Sequence, residues 1–285
     1  MTDAVRSTTL EELITRVAFR LGDAVLLTAT KAGTVSELFD QVNIPMGNED
    51  LKRRQIVFTS GTDGNPRGVV RVITETNPSA HSLTFSPEMG SLIAANTTAV
   101  VLNKRGMGYT YEEYKRAINM AIDDAYPIHR VKQAGTTSTF DSGAPSLSIP
   151  STIDEVYAVQ YQDDNGDWWS IDKAPWNDYP GWQVNAYENK IIINDLDLRY
   201  TIDGLTVRVL GEGRAPQLTT YSTSTTVHPE WLTARACYHL CLMGLDRDAT
   251  GMRGKQVLTF QQEAETRLTL IRTHREPSSS TTRVS

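Results

Sequence analysis

Thr110-Tyr-Glu-Glu-Tyr-Lys-Arg-Ala-Ile-Asn-Met-Ala-Ile-Asp-Asp-Ala-Tyr-Pro127 is the stretch whose reading decides the fold. Thr110 with Glu113 three residues on has the form of a capping box. Tyr111, Tyr114, Ile118 and Ile122 recur at helical spacing, flanked by Ala117, Ala121 and Ala125, and Pro127 stops the run. A helix of this length is marginal alone in water, so its apolar stripe calls for partner helices. Residues 9–21 supply one: Leu10, Leu13, Ile14, Val17 and Leu21 share a face, Thr9 and Glu12 form a second capping box, and Gly22 ends it. A third begins at Pro229, a favoured first-turn residue, and carries Trp231, Leu232, Tyr238, Cys241, Leu242 and Leu245. A fourth runs from Lys255 to His274 with Val257, Phe260, Ala264, Leu268 and Ile271 on one face.

The intervening stretches read as β structure. Before the second helix, Gln55–Thr59, Gly68–Ile73, His81–Phe85 and Thr97–Leu102 are short β-prone runs broken by Gly, Asn and Pro. After it come Asp154–Tyr161, Lys190–Ile193, Leu198–Ile202 and Leu205–Leu210. Asp203-Gly204 predicts a hairpin between the last two, and Asn165-Gly166 predicts another. Residues 132–148 and 214–227, rich in Ser, Thr, Gly and Pro, read as linkers. The expected fold is α+β: a four-helix bundle with two inserted all-β domains and an extended C-terminal arm. Residues 1–23, 108–131 and 228–276 form the helical body. Residues 24–107 and 147–213 form the β domains, and 277–285 the arm, which is too polar to pack alone.

Composition narrows the function. The chain has 285 residues, 39% hydrophobic and 22% charged, which fits a soluble protein with a core. No apolar stretch is long enough to span a membrane, and no basic-then-apolar leader opens the sequence. Two cysteines make no disulfide framework. Thirty-four acids against twenty-eight bases give a net charge of −6, which disfavours a protein that grips nucleic acid by its phosphates.

Four local patterns have the look of chemistry. Phe58-Thr-Ser-Gly-Thr-Asp-Gly-Asn-Pro-Arg-Gly-Val-Val70 resembles the phosphate loop of adenylate-forming enzymes, with Arg67 in place of lysine. Those enzymes are much longer and carry a later Tyr-Gly-x-Thr-Glu motif without counterpart here, so a turn between strands is the better account. Asp163-Asp-Asn-Gly-Asp167 has the composition of a calcium loop but lacks the ligand spacing and the closing glutamate. Cys237 and Cys241, with His239 between them, lack the second ligand pair of a zinc site and read as core. Trp168, Trp169, Trp176 and Trp182 suit core packing or a protein interface better than a sugar platform. The five histidines (His81, His129, His228, His239, His274) are dispersed, and no nucleophile, Walker or Rossmann motif is present. Nothing calls for catalysis, a cofactor or a metal.

The order of these segments carries a resemblance. The opening amphipathic helix, a β insertion, Tyr109–Pro127, a β module containing Ile149-Pro-Ser-Thr-Ile-Asp-Glu-Val-Tyr157, Pro229–Leu240, a last helix and a polar tail together resemble the head-to-tail adaptor (connector) proteins of tailed bacteriophages. The resemblance implies a structural virion protein of the neck, made in the host cytoplasm. It implies a homo-oligomeric ring, commonly of twelve copies, that joins the portal protein to a downstream neck or tail protein. Genomic DNA would pass through the ring without sequence-specific binding, and no membrane is involved. The C-terminal segment would reach the portal, which singles out Arg267, Arg272, His274, Arg275, Pro277, Arg283 and Val284 as partner-binding candidates. An acidic lumen would let the duplex slide. The alternatives are another neck or tail component such as a stopper and, further off, an ATP-dependent adenylate-forming enzyme or a carbohydrate-binding tail module.

Overall fold

The computed structural model describes residues 7–44, 51–60, 67–102, 108–135, 137–174, 180–247 and 251–273. The chain begins with β1 (Thr8–Thr9), α1 (Leu10–Arg20), β2 (Ala24–Thr28), β3 (Glu37–Phe39), β4 (Gln55–Phe58), β5 (Val70–Asn77), β6 (Ser82–Ser86), β7 (Thr98–Leu102) and α2 (Tyr111–Ala125). It continues through β8 (Val131–Ala134), β9 (Ser138–Thr139), β10 (Ser146–Ser148), β11 (Glu155–Gln162), β12 (Trp168–Ile171), β13 (Trp182–Asn185), β14 (Lys190–Ile193), α3 (Leu196–Thr201) and β15 (Thr206–Gly213). It closes with β16 (Ser224–Thr225), α4 (Pro229–Met243), α5 (Met252–Thr266) and α6 (Leu268–Thr273). The fold is mixed α+β, with antiparallel sheets and more strands than helices among the described residues. It divides into two compact units: the described residues up to Ala125 together with those from Pro216 on, and Tyr126–Ala215.

In the first unit both expected capping boxes form. The Thr9 hydroxyl accepts from the Glu12 N–H, and Glu12 accepts in turn from the Thr9 N–H. Thr110 and Glu113 repeat the exchange at the start of α2. Gly22, at φ 68, lets the chain leave α1. Helix α4 packs against α1, α2 and α5 and is buried nearly all round. The buried faces of its neighbours are Leu10, Leu13, Ile14, Val17 and Ala18 on α1, and Tyr114, Ala117, Ile118, Ala121 and Ile122 on α2. The expected fourth helix starts earlier and is interrupted, as α5 and α6 separated at Arg267. The Thr266 hydroxyl bonds back to the Gln262 carbonyl at the interruption, a competitor to regular helix.

The same unit holds a six-stranded antiparallel sheet in the order β2-β7-β4-β5-β6-β3. One face lies on a core of Leu27, Leu38, Ile56, Phe58, Ile73, Leu83, Phe85 and Val101, with the Phe58 and Phe85 rings edge-on at 5.3 Å. The two edge strands are tied together. The Thr30 N–H donates to the Phe39 carbonyl at 2.8 Å, and the Thr28 N–H donates to the Asp40 carboxylate at 2.8 Å. Asp40, 1% exposed, also accepts from the Val42 and Asn43 N–H groups and the Asn43 side chain. Burial works to raise its pKa, but these hydrogen bonds outweigh it and hold the carboxyl below the usual range.

The second unit is a two-sheet sandwich. A three-stranded sheet ordered β10-β14-β13 and a five-stranded one, β12-β11-β15-β8 with β9 also on β15, contribute to one core. That core contains Phe140, Val159, Trp182, Ile191, Ile193, Ile202, Val207 and Val209. Residues 132–148, expected as a linker, instead supply β8, β9 and β10, which pair with β15 and β14. The 214–227 stretch contains β16, which pairs with β1. The hairpin expected across Asp203-Gly204 is likewise absent: residues 196–201 are helix α3. Asp195 caps that helix by accepting from the Leu198 N–H at 3.0 Å, and Leu198 and Ile202, one turn apart, meet the core. Their alternation fits either period, and the cap decides for the helix. The Asn165-Gly166 hairpin does form, between β11 and β12.

Candidate partner-binding surface

Of the candidate partner-binding residues, Arg267 is the one whose side chain is described. It sits at the α5–α6 break, donating to Glu230 at 2.5 Å and to Glu263 at 2.8 Å. Glu230 also faces Arg16 at 3.6 Å, and Glu263 pairs with Arg20. Arg267 thus belongs to a network of three arginines and two glutamates that ties α1, α4 and α5, with its charge directed inward. Arg272 lies in α6 with only its backbone described. His274, Arg275, Pro277, Arg283 and Val284 fall outside the described residues.

The other patterns resolve as follows. Residues 61–66 of the phosphate-loop resemblance lie outside the described residues. Arg67 at its end bonds Glu11 through Nε at 2.6 Å. Glu11 is nearly buried, and desolvation raises its pKa despite the Arg67 hydrogen bond and charge. The next residue, Gly68, at φ 84, leaves no room for a Cβ against the Tyr221 ring. Arg67 and Gly68 thus lie on the expected turn between the paired strands β4 and β5, and from it Arg67 also pairs with Glu11 at the start of α1.

Asp163 accepts from the backbone N–H of Asn165 and Asp167 and from Trp169 Nε1, all at 2.9 Å. That leaves it organising its own turn. Cys237 and Cys241 are buried thiols of α4; burial raises both pKa values, that of Cys241 to about 11, so neither is a ready thiolate. No group of three metal-ligating side chains occurs among the described residues. The tryptophans divide. Trp182 heads β13 and is 1% exposed, donating to the Ile171 carbonyl at 2.9 Å. Trp168 lies under the Arg208 guanidinium at 3.8 Å, Trp169 is exposed, and Trp176 is outside the described residues.

One arrangement escaped sequence reasoning. Asp124, near the end of α2, receives both Arg235 Nε at 2.5 Å and the buried His239 Nε2 at 2.7 Å from α4. Burial lowers the His239 pKa, outweighing the Asp124 carboxylate. Arg235 and His239 are four apart on one helix, a signal that was in the sequence, but their shared acceptor lies more than a hundred residues away.

The described geometry therefore offers charge networks that lock helices together and a sandwich displaying aromatic and charged side chains. No candidate constellation of nucleophile, base and oxyanion donors emerges from it. No curated protein matches the chain. A family model described as SU10 adaptor protein matches residues 90–285, from the stretch before β7 through α2, the whole sandwich and the C-terminal helices. With more than two thirds of its length matched, the chain belongs to the SU10 adaptor protein family and is a phage structural protein of adaptor type.

Proposed function

We propose that this protein is a head-to-tail adaptor: a non-enzymatic ring in the virion neck that joins the portal to the next neck or tail protein and lines the DNA channel. The observation that carries the reading is the family match, which begins ahead of α2 and runs to residue 285, so that it takes in α2, the C-terminal helices and the tail together, though not α1. The helical body, drawn from residues 1–23, 108–131 and 228–276, is the rigid part, and 24–107 and 147–213 are β insertions. The contact with the portal belongs to the C-terminal residues Arg272, His274, Arg275, Pro277, Arg283 and Val284. Arg267, already paired with Glu230 and Glu263, positions that segment by fixing the α5–α6 break. Repeated copies of this segment around a ring would act together through multivalency.

The experiment uses DNA-filled heads made without this protein. Added full-length chain should attach and keep the DNA inside. A chain lacking 277–285 should melt at nearly the same temperature yet fail to attach. Heads that acquire the truncated chain and retain DNA would remove the tail from the mechanism, and heads that ignore the full chain would remove the adaptor reading itself.

A further inference from the structure

Val207 and Val209 of β15 point into the sandwich core, so Arg208 between them lies on the opposite face of the five-stranded sheet. Its surroundings hold it in place. Arg208 Nε donates to Gln160 Oε1 at 2.9 Å, and the Gln160 amide donates onward to Ser170 Oγ at 3.1 Å. The guanidinium plane covers Trp168 at 3.8 Å. Among the described residues no carboxylate pairs with Arg208, and its two terminal nitrogens make none of the described hydrogen bonds. A half-buried arginine fixed through Nε and stacked on tryptophan, with its fork left over, is pre-organised to take a carboxylate. Tryptophan and arginine are also the residues that most often carry the energy of protein interfaces.

The complementary group occurs on the same chain. The β11–β12 hairpin ends in Asp163-Asp-Asn-Gly-Asp167, and the Asp163 carboxylate is spent on holding the turn. Asp164 and Asp167 are exposed and, among the described residues, their carboxylates have no partner. Arg208 and the backbone of the turn that carries the aspartates are each held in place before they meet, which lowers the ordering cost of binding. We propose that copies of this chain associate through this pair, the Asp164 and Asp167 carboxylates of one copy docking on the Arg208–Trp168 face of a second. The inference rests on the homo-oligomeric reading above and names a contact for it.

Sedimentation velocity and native mass spectrometry of the full chain test it. The wild type should self-associate, more weakly as salt rises. Arg208→Glu and, separately, Asp164→Lys with Asp167→Lys should each weaken association about tenfold or more, and the combined charge swap should restore much of it. The aspartate variant lies wholly on an exposed tip, so it reads the contact even if Arg208→Glu disturbs the Trp168 stack. Variants that assemble like the wild type would overturn this contact and leave the oligomer standing. A wild type that stays monomeric at its highest soluble concentration would overturn the contact outright. The head-attachment experiment would still judge the adaptor reading separately.

Discussion

In the six-stranded sheet a buried carboxylate faces inward, where Asp40 gathers hydrogen bonds from Thr28, Val42 and Asn43 and ties the β2 edge to the β3 edge. In the sandwich the corresponding investment faces outward: Arg208, Gln160, Ser170 and Trp168 form an ordered ladder on an open sheet face, and β12 ends the strand order at one side. Both regions bury aliphatic and aromatic cores of the same kind. The difference lies in what each does with its edges and outer face. A sheet whose edges are tied together gains stability and loses a docking surface, whereas an open sheet keeps unpaired backbone and side chains available to a partner.

The cores should respond alike. Phe58→Ala in the first region and Trp182→Ala in the second remove nearly fully buried aromatic rings, and each should cost about 3–5 kcal/mol in chemical denaturation. A cost below about 1 kcal/mol at either site would break the claim that the two regions share a core logic. The edges should respond differently. Asp40→Ala removes a buried acceptor of four hydrogen bonds whose donors lie on partly or largely exposed residues, and should cost about 2 kcal/mol. Because the folded pKa of Asp40 is held below its unfolded value, its contribution is present above the unfolded value and is lost as pH falls through the folded one. An acid limb of the stability curve unchanged in the variant would contradict this role.

Arg67→Ala leaves Glu11 without its cation at the start of α1. The pair is half exposed on the arginine side, so the expected loss is about 1 kcal/mol, read as a shift in denaturation midpoint. No change at all would mean that the Arg67–Glu11 pair adds nothing to stability. His239 gives a smaller effect of opposite chemistry. Its folded pKa is depressed, so the unfolded chain takes the proton more readily. Stability should therefore decline as pH drops below the free imidazole value of about 6.5 and level off below the folded one. His239→Gln should flatten that part of the curve, and an NMR titration placing His239 at or above the free value would reverse the sign. Arg208→Ala removes the Trp168 stack and the Gln160 hydrogen bond on a sheet face and should cost no more than about 1 kcal/mol of monomer stability; a loss of several kcal/mol would make it a structural residue instead.

Much of the helical framework was legible in the sequence because its signals are local. Thr9 with Glu12, Thr110 with Glu113, and Pro229 mark helix starts through atoms within one turn of each other, and all three helices begin there. Lys190–Ile193 is recovered residue for residue as β14. What stayed hidden depends on partners far along the chain. The 132–148 segment is polar and interrupted, and only its pairing with β15 and β14 makes it sheet. Asp40 sits two positions before Val42 like any turn aspartate, and its role in tying edges requires Thr28. The Ile202 alternation suited a strand until the Asp195 cap took precedence. For the candidate partner-binding surface, the sequence singled out Arg267 by its place near a helix end, but not the two glutamates that claim it. Arg208 drew no notice, since one arginine in an alternating strand carries no sign of the tryptophan beneath it.

The nearly all-round burial of α4 also sets an order of events during synthesis. The Cys237 thiol of α4 lies 4.0 Å from the Val17 carbonyl of α1, across 220 residues of chain. Helix α1 precedes both β regions in the chain; α2, one partner, lies between them, and α4, the partner that meets Val17, is translated only after both. At about 5–20 residues per second, α1 waits on the order of ten seconds or more for α4. The six-stranded sheet and the sandwich each bring most of their strands together within one continuous stretch, so they can mature in that interval while the helical framework stays open. Completion of the framework is therefore a late step, timed by the appearance of α4, and a chain cut short before Pro229 would carry finished β modules with α1 and α2 lacking the helix that packs against both.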